Sequence, residues 1–342
     1  MLKVTFKGIV LKLTAISAGI VLSLILAEIG LRVFKFNYTP LRIEVINNWS
    51  EWRYYHAFED KNFEYDPILI WRPKKGGDFS NSQGYRGREV TPGQETNSFR
   101  IVAIGDSNTL GWSGKNGPNW PAYLEQMDSR LTVINGGVYG YSSLQGLRRF
   151  EESLAFHPHL AFISFGANDA MRVTMSDAHF LARKVRKNDL DRKLMKFRLG
   201  QLLLAVNDKY LTSQQESLTP RVSLPEYKQN LQEIVRIGRQ NAVTVVLLTR
   251  PFTGESPSPT WWKNFAPEYN AATMEVGREM NVPTVNIFAE FAGRADDFID
   301  EAHLTEAGHR RLAEVVYKEI RPSVDRWESS RKVAAKKSDR PD

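Results

Sequence analysis

From Phe99 onward the sequence carries five short apolar runs, Arg100 to Ile104, Leu131 to Ile134, Ala161 to Phe165, Val243 to Leu248 and Pro283 to Ile287, separated by stretches of helical periodicity. Strand-like segments that alternate with helical ones build βαβ units. The runs are apolar at successive rather than alternate positions, the pattern of strands covered on both faces. Crossovers between parallel strands put helices on those faces. The expected fold is α/β: a three-layer α/β/α sandwich with about five parallel strands, one for each run. With 342 residues, 42% of them hydrophobic, the chain can fill one such core and carry appendages.

The first appendage is the N-terminus. Lys3, Lys7 and Lys12 precede an uncharged apolar run from Leu13 to Ala27 that continues past Glu28 to Leu31. Crossing a hydrocarbon core takes about 20 residues, and Lys12 and Glu28 lie close enough to the ends of the run to snorkel. A cleaved export signal is the competing reading, but the best cleavage position, after Ala27, has bulky Ile25 where a small residue is needed. The expectation is an uncleaved, single-pass transmembrane helix within residues 1–36. Its leading lysines are cytoplasmic and the rest of the chain periplasmic or extracellular, although Arg32 and Lys35 blunt the charge asymmetry. Residues 37–98 carry Trp52, Tyr54, Tyr55, Phe58, Phe63, Tyr65 and Trp71 without a sustained period, and read as a connector that packs on the main domain. The main domain spans 99–320, and the polar tail 321–342 is expected to fray.

An open parallel sheet leaves its crevice at the carboxyl ends of its strands, and four clusters fall there. Gly105-Asp106-Ser107 follows the first run, and a serine at such a turn is by itself an N-cap. Asn135 to Ser143, with Gly140 inside it, follows the second, and by itself reads as a permissive backbone. Gly166-Ala167-Asn168-Asp169 follows the third, where Asn is a common turn residue. Asp300-Glu301-Ala302-His303 precedes a helical stretch from Leu304 to Ile320. Together the clusters hold every part that acyl transfer through serine requires. The hydroxyl of Ser107 needs a base, which His303 can supply, and a group that fixes the tautomer of that base, which Asp300 can supply. Backbone N–H groups of Ser107 and Gly140 and the amide of Asn168 can converge on a developing oxyanion.

These residues resemble the SGNH hydrolases, or GDSL esterase/lipase family, whose blocks read GDS, a Gly, GxND and DxxH in that order. Here they are Gly105-Asp106-Ser107, Gly140, Gly166-Ala167-Asn168-Asp169 and Asp300 to His303, within about Phe99 to Ile320. The resemblance implies a flavodoxin-like sheet, Ser107 as nucleophile, His303 as base, Asp300 as its partner, and an oxyanion hole of Ser107, Gly140 and Asn168. It implies an ester hydrolase acting on an acylated small molecule or glycan, without a cofactor; O-deacetylation of an envelope glycan fits the anchor. The stretch Asn81 to Gly87 also looks like the segment preceding the catalytic domain in membrane-anchored bacterial members. An O-acyltransferase would use the same residues and pass the acyl group to a sugar, and a non-catalytic envelope binding protein is the third alternative.

One departure from the compact family core is an insertion at 171–220. It holds ten Lys and Arg against five Asp and Glu, with Arg183, Lys184, Arg186, Lys187, Arg192, Lys193, Lys196 and Arg198 among apolar residues. A solvated helix face, a basic lid over the crevice and an amphipathic helix on anionic lipid all fit. Zero cysteines exclude disulfides, thiolate metal sites, a cysteine nucleophile and a lipid-modified N-terminal cysteine. The six histidines lack zinc-protease spacing, so no metal is expected. The +7 net charge is dispersed and argues against nucleic acid. His157 and His159 flank Pro158 at the amino end of a strand and read as structural. His309, six residues after His303, points 240° away on the same helix. Trp112, Trp120, Trp261 and Trp262 can line a site but more often pack a domain edge.

Overall fold

The computed structural model describes residues 6–38, 62–66, 68–93, 97–111, 117, 119–173, 176–182, 194, 196–212, 219–253 and 262–338. Trp52, Tyr54, Tyr55, Phe58, Trp112, Trp261 and the basic residues from Arg183 to Lys193 lie outside these, as do the side chains of Tyr65 and Trp262. The chain divides into two compact units, 1–46 with 182–217, and 47–181 with 218–342.

The smaller unit is built on α1 (Phe6–Val33). Among the described residues it is the one helix long and apolar enough to cross a membrane, and its side chains are exposed along most of its length.

The larger unit opens with a hairpin, β1 (Phe63–Asp66) and β2 (Ile70–Pro73), whose turn is closed by Asp66 Oδ1 accepting from the backbone of Ile68 and Leu69. Five strands then form a parallel sheet in the order β4-β3-β5-β8-β9: β3 (Phe99–Gly105), β4 (Leu131–Asn135), β5 (Leu160–Ser164), β8 (Thr244–Leu248) and β9 (Thr284–Val285). Between β5 and β8 lies a two-stranded antiparallel neck, β6 (Arg172–Val173) and β7 (Thr219–Pro220), at the base of the insertion. The helices are α2 (Ser107–Leu110), α3 (Trp120–Met127), α4 (Ser143–Ser153), α5 (Asp177–Ala182), α6 (Arg198–Thr212), α7 (Leu224–Gln240), α8 (Trp262–Glu279), α9 (Ile287–Glu290) and α10 (Glu306–Ser338). Of these, α6 belongs to the smaller unit.

The continuous apolar runs have the consequence expected of them. Phe99, Ile101 and Ala103 of β3 join a core with Trp120 and Leu124 of α3 and Leu312, Val316 and Ile320 of α10. The intervening Val102 and Ile104 are equally buried on the opposite face, where α4 and α7 pack against the sheet. Each residue of β3, β4 and β5 is therefore buried whichever way it points, which is the three-layer arrangement. The order sets β3 and β8 on either side of the central β5, so the segments leaving the carboxyl ends of β3 and β5 meet.

Three expectations change. The connector contains strands after all; four-residue strands are too short to show a period. The insertion has its ends, the β6–β7 neck, in the larger unit, while 182–217 groups with α1. The tail does not fray at Arg321, because α10 runs on through Ser338. Val324 is fully buried, Trp327 stands edge-on to Phe99 and His159, and Arg130 pairs with Asp325 and Glu328. Its polar composition reflects one exposed face, and the buried residues fall at helical spacing. Trp327→Ala should lower stability by about 2 kcal/mol, below the full core value because Trp327 is half-buried. A denaturant midpoint unchanged from the parent would show that the last turns of α10 do not belong to the core.

Candidate active site

β3 ends at Gly105 and α2 starts at Ser107, with one residue between them. The turn depends on Gly105, since a Cβ there would lie 2.2 Å from Thr109 Oγ1 and 2.9 Å from the Ser164 carbonyl. Asp106 caps α2 by accepting from Asn108 N at 3.0 Å. Ser107 is thereby set as the first helical residue at the strand's carboxyl end, 6% exposed.

The loop before α10 faces it. Asp300 Oδ1 accepts from the backbone N–H of Ala302 at 2.9 Å and of His303 at 2.8 Å, while Oδ2 lies 2.7 Å from His303 Nδ1. His303 Nε2 is 2.9 Å from Ser107 Oγ. A carboxylate at Nδ1 fixes the hydrogen there and leaves Nε2 free to take the serine proton. Burial raises the Asp300 carboxyl, but the His303 ring and the two backbone N–H groups outweigh it and bring it down to about 2. The group that orients the imidazole is therefore an anion throughout the neutral range. Asn108 ties the loop to α2, donating to the Ala302 carbonyl at 2.7 Å and accepting from Leu304 N at 3.3 Å.

The segments after β4 and β5 carry Gly140 and Asn168. Gly140 has φ +68°, a left-handed conformation that favours glycine. Its carbonyl is held at 2.7 Å by Arg221 Nη1, and among the described residues its N–H meets no acceptor. Arg221 is fully buried against Asp177 at 2.7 Å, and Asp177 also accepts from Ser142 Oγ at 2.7 Å. The β2 residue Trp71 braces the same loop from outside, donating Nε1 to the Tyr139 carbonyl and accepting Tyr141 OH at its own. Asn168 Nδ2 donates to the Tyr141 carbonyl at 3.0 Å and, at a long 3.4 Å, to Asp106 Oδ2. Asp169 accepts from Ser143 N and Gly166 N, while burial pushes its carboxyl up to about 6 against those bonds.

Ser107, His303 and Asp300 thus touch directly. Asn168 is linked to this cluster through Asp106, and to the Gly140 loop through Tyr141. Sequence reasoning missed Arg250, whose Nε lies 3.0 Å from Asp106 Oδ2 with both groups buried. Its signal was an arginine two residues beyond an apolar strand. It also missed Arg221 and Asp177, which pair across the base of the insertion, and the role of Asn108 beside the serine. His309 is fully buried and without a partner for either ring nitrogen among the described residues. Burial, with Arg86, His303 and Arg250 nearby, holds it at about 4, so it is neutral there. His159 Nδ1 accepts from Arg100 N at the amino end of β5, away from the crevice. Among the described residues no group of three His, Asp or Glu side chains is placed to hold a metal ion.

A model of the GDSL-like Lipase/Acylhydrolase family matches residues 103–311. An arylesterase from Vibrio mimicus is 34% identical over 80 residues, covering 22% of this chain and 40% of that protein. Thioesterase 1/protease 1/lysophospholipase L1 of Escherichia coli strain K12 is 32% identical over 74 residues, 21% of this chain and 36% of its own length. These matches span less than half of either relative. The crystal structure of the lipase/acylhydrolase from Enterococcus faecalis is 20% identical with a TM-score of 0.46, covering 66% of this chain and 96% of that one. The family match takes in more than half of the sequence and includes Ser107, Gly140, Asn168 and His303, and the chain belongs to the GDSL-like lipase/acylhydrolase (SGNH) family.

Proposed function

We propose that this chain is a serine-dependent carboxylic ester hydrolase, held by α1 with its catalytic domain outside the cytoplasm and acting on an acylated envelope substrate such as an O-acetylated glycan. The observation that carries the reading is the unbroken contact from Ser107 Oγ through His303 to Asp300, at 2.9 and 2.7 Å, at the carboxyl end of the sheet. Ser107 Oγ attacks the acyl carbonyl as its proton passes to His303 Nε2. Asp300 stabilises the imidazolium so formed without accepting that proton. The negative charge on the carbonyl oxygen is met by the N–H groups of Ser107 and Gly140 and by the Asn168 amide. The 3.4 Å contact from Asn168 to Asp106 is long enough to yield to it. Collapse expels the alcohol, which takes the proton back from His303. Water then repeats the sequence on the acyl-enzyme, releasing the acid and restoring Ser107.

Ser107→Ala should remove nearly all turnover while leaving the fold intact, and a serine-directed phosphonate should label the parent chain alone. Equal labelling of the variant at the same peptide would remove Ser107 as nucleophile. Asn168→Ala should lower kcat by about 100- to 1000-fold, the usual cost of one oxyanion donor, with little change in KM. A rise in KM at constant kcat would make Asn168 a ground-state binding residue instead. The substrate class and topology are tested together. Cells whose outer barrier has been opened should release acetate from added acetylated glycans in preference to longer acids from acyl esters, and a reporter active only outside the cytoplasm should be active when fused after Asp342. An inactive reporter would overturn the topology, and a preference for long-chain esters would overturn the glycan assignment.

A further inference from the structure

In the smaller unit, α6 is apolar on two sides. Leu204 is buried, whereas Leu203 and Val206 are 61% and 62% exposed. With half-buried Leu199 they follow the i, i+4, i+7 spacing of a single stripe. Such a stripe on a helix needs a cover, and its position indicates which one.

The start of α6 is fixed to the end of α1. Glu28 Oε1 accepts from Arg198 N at 3.1 Å and Oε2 from Leu199 N at 2.9 Å, so a carboxylate of α1 occupies the place of an N-cap for α6. Glu28 also pairs with Arg32 at 2.8 Å. Beyond the helix end, Tyr38 N donates to Gln201 Oε1 at 3.2 Å and Arg198 bonds Asn37. A hydrocarbon core of about 30 Å centred on Ile20, the middle of the uncharged run, reaches roughly ten residues either way and ends near Gly30. Glu28, and with it the first turn of α6, therefore lies within about 3 Å of the hydrocarbon boundary. An acidic side chain at that depth is costly unless partnered, and the α6 N–H groups are its partners. Lys196, Arg198, Arg32 and Lys35 cluster in sequence about the same two helix ends.

We propose that α6 is an interfacial helix that lies in the lipid surface where α1 emerges, with Leu199, Leu203 and Val206 among the acyl chains and the neighbouring basic side chains at headgroup phosphates. The proposal rests on reading α1 as an uncleaved anchor. It commits to lipid rather than to a second protein because the cap places the stripe at the level where α1 already meets the membrane.

The absence of cysteine permits a direct test. Leu203→Cys, Val206→Cys and Ile20→Cys variants of the full chain are each labelled with an environment-sensitive fluorophore. They are reconstituted in vesicles of phosphatidylcholine and phosphatidylglycerol and challenged with brominated acyl chains or aqueous iodide. Retained phosphonate labelling of Ser107 identifies the folded fraction to be read. The labels at 203 and 206 should lose most of their emission to brominated lipid and little to iodide, as should the label at 20. Iodide quenching at 203 and 206 with lipid quenching kept at 20 would overturn the proposal and leave the anchor standing. Loss of lipid quenching at 20 would overturn the anchor and the proposal with it. Protection of 203 and 206 from both quenchers would show a protein cover, and would also overturn it.

Discussion

The buried carboxylate of Asp106 holds the ends of three adjacent strands at once. It caps α2 beyond β3, receives the Asn168 amide beyond β5, and faces the Arg250 guanidinium beyond β8. The Arg250 Nε and Nη1 hydrogens are not directed at an acceptor among the described residues, so the attraction between the two buried groups is Coulombic rather than a shaped hydrogen bond. Removing either member of such a pair leaves an uncompensated charge, which typically costs about 3–5 kcal/mol. The floor of the crevice is thus an ion pair on which Ser107 and Asn168 both stand, and the geometry of the site cannot be separated from the stability of the sheet beneath it.

Much of this was legible in the residues themselves. The five apolar runs became the five parallel strands because a doubly covered strand leaves a continuous signature, and the short motifs at their carboxyl ends carry the contacts between Ser107, His303 and Asp300. Arg250, Arg221 and Asp177 were not legible as partners. Their meaning lies in pairings across 44 residues and more, and a charged residue bears no mark of burial until the fold supplies its counterion. The helical tail escaped for the opposite reason. A helix with one buried stripe among charges reads as polar when composition is weighed without period, and Val324 and Trp327 form that stripe.

The base of the insertion and the Gly140 loop share structure in the larger unit. Its neck is closed by backbone bonds from Asp177 to Arg221 and from Arg221 to Met171, and the Arg221 side chain continues to the Gly140 carbonyl. A carbonyl held on one side of a peptide unit constrains the direction of the N–H groups beside it. The orientation of the Gly140 loop is therefore set partly by the Asp177–Arg221 pair at the β6–β7 neck, and partly by the hairpin through Trp71.

The cap that Glu28 provides to α6 also has a bearing on the order in which the chain assembles. Carboxylate and amide are 170 residues apart in sequence. At ribosomal rates of about 5–20 residues per second, roughly 10 to 30 s separate their synthesis. During that interval Arg32 is within reach of Glu28, whereas the α6 amides do not yet exist. Closing so long a loop costs little more entropy than closing one of half the length. Timing rather than thermodynamics makes this contact a late one, and α6 gains its cap only after β3, β4 and β5 have left the ribosome.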